Sequence, residues 1–411
     1  MTKVLKQFFL LFVFASLPNN ASAFDPQDPY VINGIRYDFR RVGATVVEVD
    51  KSLREIIIPS EVTIDDYVIP VTIIGYESFK DSSVENIFIP SSVNTIESGA
   101  FAGCKSLTSI DIPESVTYVG TNAFYDTGWY DSQSDGLLSM GNWILGYKGE
   151  EPKGLLSIPE GTIGVAGGAF SGLLDLTSVT MSNSVKYICD GAFSGCKNLT
   201  TVNLSNNLIS LGGFHDCTSL TSITIPNSVT TISNYAFSGC TGLTNITIPN
   251  SVTTISSRAF EGCSGLTNIT IPNSVTEIGE EAFRGCSGLT AVTIGSNVTF
   301  GRNVFTDLDN LMSVTSYITR PSDLPIYKKP FFSQKTYDYG TLYVPKGTKD
   351  IYIRYDGWRD FYNIVEFDPS DINKVTLDDN EKASVYDLNG RLILKPRKGI
   401  NIIRGKKIIK K

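Results

Sequence analysis

Between Leu220 and Cys286 the chain states one 23-residue pattern three times, and that periodicity leaves it few folds to adopt. Leu220-Thr-Ser-Ile-Thr-Ile-Pro226 leads to Ala236-Phe237-Ser-Gly239-Cys240. Leu243 to Pro249 leads in the same way to Ala259-Phe260-Glu-Gly262-Cys263, and Leu266 to Pro272 leads to Ala282-Phe283-Arg-Gly285-Cys286. A period of about 20–50 residues marks a solenoid, whose coils bury their apolar sides only against one another. The phenylalanine recurs at Phe79, Phe101, Phe124, Phe170, Phe193, Phe214, Phe237, Phe260, Phe283 and Phe305. The single step of 46 residues, from Phe124 to Phe170, is twice the period. One coil there has lost its Phe or holds an insertion.

Each coil can be built from its residues. In Asn245-Ile246-Thr247-Ile248 the period-two alternation of a strand sends both isoleucines inward and leaves Asn245 and Thr247 outside. Pro249 has no N–H to give a ladder and marks the corner. Val252 and Ile255 turn inward on a second extended piece, Ala259-Phe260 fills the interior, and Gly262 is expected to turn with φ > 0. The expected fold class is mainly β, a solenoid of about ten or eleven 23-residue coils with a parallel sheet on one face, capped at both ends.

The flanks differ from the array. Lys3 and Lys6, the apolar run Phe8 to Leu17 and Ala21-Ser22-Ala23 compose an export signal over 1–23, with cleavage expected before Phe24. That run is too short for a membrane span, which needs about 20 apolar residues, and no later stretch qualifies. Residues 24–75 are expected to form a strand-rich cap, with a hairpin at Asn33-Gly34. The array occupies 76–317, with a hairpin insertion at about 125–157 that turns at Gly141-Asn142. Residues 318–370 close it, with Trp358, Phe361 and Ile364 spaced to lie over the last coil as a short helix or turn. A tail, 371–411, follows.

The pattern Leu-x-x-Ile-x-Ile-Pro-x-Ser-Val-x-x-Ile-x-x-x-Ala-Phe-x-Gly-Cys resembles the BspA-like class of leucine-rich repeats. The resemblance implies a curved solenoid and, for many members, an exported surface protein, some of them adhesins. It departs locally, at Met181-Ser182, Leu204-Ser205, Ile294-Gly295 and Asp216. The family's Trp-Tyr…Asp-Gly…Tyr-x-Gly insertion is matched by Trp129-Tyr130, Asp135-Gly136 and Tyr147-Lys148-Gly149. In the tail, Val385 to Leu394 and Lys398 to Lys411 resemble part of a type IX secretion sorting domain, which implies a segment cleaved or exchanged for an anchor outside the cell.

Charge narrows the partners. The chain carries −7, but 1–23 holds +2 and 371–411 holds +6, so the body, 24–370, carries −15. An acidic body excludes a nucleic-acid role, which needs a basic face. Six of the seven cysteines keep the repeat register, Cys189 alone departing from it. With no Cys-x-x-Cys or Cys/His spacing of a zinc site, they read as unbridged core thiols before disulfides or metal ligands. The sole histidine, His215, stands beside Asp216 and Cys217 but occupies the variable slot of Ser238, Glu261 and Arg284, so no catalytic set is expected. Asp131 to Gly136 lacks the ligands of a calcium loop. No metal or cofactor is expected.

What remains is surface. The candidate binding face is Thr201, Asn203, Ser222, Thr224, Asn245, Thr247, Asn268, Thr270 and Thr293, an uncharged hydroxyl-and-amide array. It is either a recognition surface or a set of good strand formers that keeps a sheet soluble. The candidate insertion contacts are Trp129, Tyr130, Trp143 and Tyr147, either an aromatic contact point or the packing of the hairpin. The expected function is an exported surface or secreted protein that binds a protein or glycan partner adhesively. The alternative is an envelope or matrix component with no dedicated ligand.

Overall fold

The computed structural model describes residues 30–64, 66–321 and 332–368, with four short strands in the tail. The export-signal expectation lies outside the described residues. So does most of the tail, whose described strands, Val385–Tyr386, Leu392–Ile393, Gly399–Ile403 and Lys406–Lys410, pair antiparallel. The chain divides into two compact units, Met1–Thr117 with Asn122–Gln133, and Tyr118–Thr121 with Ser134–Lys411. The insertion is therefore split between them.

In the first unit, Tyr30–Ile32 and Ile35–Arg41 form the hairpin expected at Asn33-Gly34, both turn residues having positive φ (52° and 75°). Ile35–Arg41 pairs with Gly43–Val49, which runs parallel to Tyr67–Ile74, itself parallel to Thr95–Ile96. Glu55–Ile57 pairs parallel with Asn86–Phe88. The N-terminal segment thus already contains solenoid pairings. Phe79, Phe101 and Phe124 stack with centroids 4.8 and 5.3 Å apart.

The second unit carries two ladders of parallel rungs. The sheet expected on one face has ten rungs, in pieces of three, two and five. They are Gly154–Ile158, Leu176–Met181 and Thr201–Asn203, then Ser222–Thr224 and Asn245–Thr247, then Asn268–Ile271, Ala291–Ile294, Ser313–Ser316, Thr341–Pro345 and Asn363–Phe367. The last two belong to the segment read as a cap, so the coils continue further than the repeat pattern indicates. The second ladder is a nine-stranded sheet. It begins with the hairpin Gly136–Met140/Trp143–Lys148 and continues through the two-residue strands from Gly164–Val165 to Thr299–Phe300. Trp143–Lys148 is its first parallel rung, which seats the insertion on the array.

The corner between the ladders is where the sequence pattern is most exacting. After Pro249, whose carbonyl accepts the Val252 N–H at 3.1 Å, the chain passes through Thr254–Ile255 to two left-handed residues, Arg258 (φ 57°) and Gly262 (φ 70°). Only the second was legible as a glycine. The first is Tyr235, Arg258 and Glu281 in successive coils, an arrangement that costs about 1–2 kcal/mol per side chain. Coil-to-coil bonds offset it: Phe260 N–H reaches Ala282 O at 2.8 Å and Gly262 N–H reaches Arg284 O at 2.8 Å. In the 21-residue coil Asp216 keeps the glycine slot with φ 58°, a conformation Asp tolerates.

Between the ladders runs one aromatic column. Phe170, Phe193, Phe214, Phe237, Phe260, Phe283 and Phe305 stack with centroids 5.1–5.9 Å apart, and Phe332 extends the column by one more ring at 5.3 Å. Phe361, Tyr337 and Trp358 then close it, Phe361 and Tyr337 meeting Phe332 edge-on. Trp358, Phe361 and Ile364 are all buried there, on a turn and a strand rather than a helix.

All seven cysteines are free and buried. Six thiols donate to the carbonyl of a phenylalanine one coil back, for example Cys240 Sγ to Phe214 O at 3.0 Å and Cys263 Sγ to Phe237 O at 3.0 Å. Burial pushes Cys196 up to about 11 and Cys189 and Cys240 up to about 12, because the thiolate would lose its hydration. An unfolded thiol titrates near 8.5. The folded state therefore keeps protons that the unfolded state releases. This stabilisation is complete below about pH 8.5 and is lost as pH rises toward the folded values. Denaturation midpoints are expected to fall between pH 8 and 10, and less steeply in Cys240→Ala. A thiol reagent at pH 8 should label no cysteine of the native chain and all seven after denaturation.

Candidate recognition face

Every proposed face residue lies on the outward side of the ten-rung ladder. Thr201, Asn203, Ser222, Thr224, Asn245, Thr247, Asn268 and Thr270 are exposed, and Thr293 is half-buried. The register aligns them in two rows: Ser222 beside Asn245, Thr224 beside Thr247, Thr270 beside Thr293, with Ser178 and Thr180 beside Thr201 and Asn203. The rows continue onto residues the repeat pattern did not single out. Thr293 is followed by Thr315 and then by Tyr343, while Ser313 is followed by Thr341 and Asn363. Ser313-Val-Thr315 has the same polar–apolar–polar alternation and was legible on that ground. Tyr343 was not, because it follows a break in the period.

Not all threonines on these coils are equivalent. Thr200, Thr244 and Thr290, one position before their strands, and Thr177, the second residue of its strand, each donate to a carbonyl one coil back at 3.1–3.3 Å. On the other ladder Thr253, Thr276 and Thr299 do the same at 2.8–3.3 Å. These hydroxyls tie coil to coil. The hydroxyls of Thr224, Thr247, Thr270 and Thr293, by contrast, make no hydrogen bond to another described residue. One set is spent on the fold and the other is left for solvent or a partner. Removing a coil-tying hydroxyl, as in Thr253→Val, should cost about 0.5–1.5 kcal/mol in chemical denaturation.

The insertion aromatics do not form a single group. Trp143 is buried at 1 % exposure, with its ring parallel to Tyr187 at 6.3 Å, and Tyr147 packs against the core. Trp143 is covered by the next coil, whereas Tyr147 is half-buried and registered against Leu137 of its own hairpin. Trp129 and Tyr130 are half-exposed on the short helix Gly128–Ser132 of the first unit, capped by Thr127, whose Oγ1 accepts the Tyr130 N–H at 3.0 Å. The Tyr130 ring meets the exposed Tyr125 ring at 5.2 Å.

The polar singletons are absorbed locally. His215 Nε2 contacts Ser194 Oγ of the preceding coil, while the Cys217 thiol points inward to Phe193 O at 3.2 Å and burial raises its pKa. Cys217 and His215 thus face different partners. Asp131 pairs with Lys105 at 3.2 Å. Among the described residues no group of three His, Cys, Asp or Glu side chains could hold a metal ion, and no helix is long and apolar enough to cross a membrane.

Comparison with known proteins follows the same lines. The repeat profile described as the BspA type leucine rich repeat region matches in six copies, over residues 72–132, 161–214 and 209–336. A leucine-rich repeat protein of Bacteroides ovatus is 26% identical over 83% of this chain and 89% of its own, with a TM-score of 0.40. The leucine-rich repeat protein of T. pallidum is 32% identical over 43% of this chain and 87% of its own, with a TM-score of 0.39. A leucine rich cell surface protein of Faecalibacterium prausnitzii is 22% identical over 64% of this chain and 94% of its own, with a TM-score of 0.31. No curated protein matches the chain. With the repeats matched over more than half of its length, and the coils built on the Phe column and Cys register those repeats encode, this chain belongs to the BspA-type leucine-rich-repeat family.

Proposed function

We propose that this chain is an exported surface protein that binds a protein or glycan partner through the outward rows of its ten-rung ladder, in the service of adhesion. The observation that carries the reading is the division among the threonines. Hydroxyls such as those of Thr200 and Thr253 are spent between coils, while those of the aligned Thr224, Thr247, Thr270 and Thr293 are left without a partner among the described residues. Export rests on Lys3, Lys6, the apolar run from Phe8 to Leu17 and Ala21-Ser22-Ala23, and the type IX route on the tail from Val385 onward. The role is recognition rather than catalysis, since a solenoid offers an extended surface.

Two measurements test this. Fractionation of producing cells, with protease applied to intact cells, should find the protein outside and cleavable; a cytoplasmic location ends the proposal. Saturable binding of the purified full chain to epithelial or bacterial cell surfaces is expected. Its absence would favour a structural envelope component.

A further inference from the structure

We infer that the ligand of this face is a neutral polysaccharide laid across the rungs, an inference that rests on the recognition face proposed above. Four observations lead there.

The first is charge. From Thr201 to Thr315 the outward positions are Thr201, Asn203, Ser222, Thr224, Asn245, Thr247, Asn268, Thr270, Ala291, Thr293, Ser313 and Thr315, with no ionisable group among them. The same coils do carry charge, much of it at the left-handed corner and none on these rows. There Arg258 pairs with Glu281 at 2.7 Å and Arg284 with Asp307 at 2.9 Å. An acidic or basic ligand would find no counter-charge on the rows, and its own charge would be desolvated against neutral groups.

The second is composition. Protein–protein hot spots are enriched in Trp, Tyr and Arg and poor in Ser and Thr. The rungs from Thr201 to Thr315 carry the disfavoured types and none of the favoured ones. Hydroxyls and amides that both donate and accept are instead the complement of a sugar's own hydroxyls.

The third is repetition. Paired rungs are about 4.8 Å apart, so Thr224 and Thr247, and then Thr270, Thr293 and Thr315, present the same hydroxyl again at each paired step. A hexopyranose unit is about as long as one such step, and a polysaccharide repeats its hydroxyls along its length. A folded protein surface does not.

The fourth is where the rows end. Thr315 is followed by the half-exposed Tyr343 and then by the exposed Val365, while Thr341 is followed by Asn363, whose Nδ2 donates to Thr341 Oγ1 at 2.8 Å. A ring and an apolar side chain closing one row suit the C–H face of the last sugar of a chain, while the amide that closes the other row meets its hydroxyls.

The test uses the purified full chain with immobilised mannan and laminarin as neutral polysaccharides, alginate and heparin as acidic ones, and fibrillar collagen as a protein. The same set is repeated with Thr224→Arg/Thr247→Arg/Thr270→Arg, which puts charge along one of the two rows while leaving the core intact. The expected result is saturable binding to at least one neutral polysaccharide, changed less than about twofold between 50 and 500 mM salt, and weakened at least tenfold in the triple variant at an unchanged denaturation midpoint. Binding of collagen alone, lost in the triple variant, overturns the polysaccharide inference and leaves the recognition face standing. Binding that the triple variant retains overturns both. Preference for alginate or heparin with a steep salt dependence overturns the neutral-ligand argument, as does no binding to either neutral polymer.

Discussion

Phe260→Ala is expected to lower stability by about 3–5 kcal/mol, the cost of truncating a fully buried ring whose surroundings cannot collapse into the space. Phe260 is 0 % exposed and lies between Phe237 at 5.5 Å and Phe283 at 5.1 Å. Neither neighbour can move into the cavity, because each is fixed by its own backbone bond to the next coil, Phe237 N–H to Ala259 O at 2.8 Å and Phe283 N–H to Val304 O at 3.1 Å. A solenoid's stability is close to a sum of coil and nearest-neighbour terms. The loss should therefore be local: hydrogen exchange should accelerate across Phe237 to Cys286 and stay unchanged around Phe79 and Phe101 in the first unit. Thr247→Ala, one strand away but outward, should change stability by no more than about 0.5 kcal/mol.

Gly164→Val sets two principles against each other. Gly164 lies in a two-residue strand, and strand propensity alone favours valine over glycine. Its place on the ladder reverses the sign. Gly164 is registered against Trp143 and against Tyr187 on its other side, and a Cβ at Gly164 would fall 2.4 Å from the Trp143 ring. The missing side chain lets Trp143 lie across the glycine and stack on Tyr187, a way for an aromatic to cover a strand glycine. Valine must displace a buried ring, and overpacking of this kind costs about 1–3 kcal/mol. Trp143→Ala should cost about 3–5 kcal/mol. In Gly164→Val the tryptophan emission should shift to the red. An unshifted spectrum with raised stability would mean that propensity decides at this rung.

These expectations bear on what a repeat pattern can and cannot reveal. The inward Ile, Val, Phe and Cys positions were legible because burial acts on every coil alike, so the same residue type returns each 23 residues. The turn at Gly262 was legible because glycine is the residue that adopts φ > 0 without cost. The left-handed corner at Tyr235, Arg258 and Glu281 was not, since side chains that disfavour the conformation give no sign of it and coil-to-coil bonds impose it. The second ladder was seen only as a short extended piece, since two residues such as Thr254-Ile255 show too little alternation to mark a strand. Phe332 and the rungs at Thr341–Pro345 and Asn363–Phe367 escaped the repeat count because the segment before them breaks the period. Of the face, the row positions followed from alternation. Which threonines are spent and which are left did not, because the distinction lies in the neighbouring coil's carbonyls.

That distinction is also the most direct point of attack. Thr224→Val/Thr247→Val/Thr270→Val and Thr253→Val/Thr276→Val/Thr299→Val remove three hydroxyls each from the same stretch of coils with almost no change of shape. Denaturation midpoint and binding of the full chain to cell surfaces are to be measured for both. The first variant should keep its midpoint and lose binding; the second should lose about 0.5–1.5 kcal/mol per site and keep binding. A first variant that is destabilised yet still binds would contradict the division of labour between the two sets of threonines.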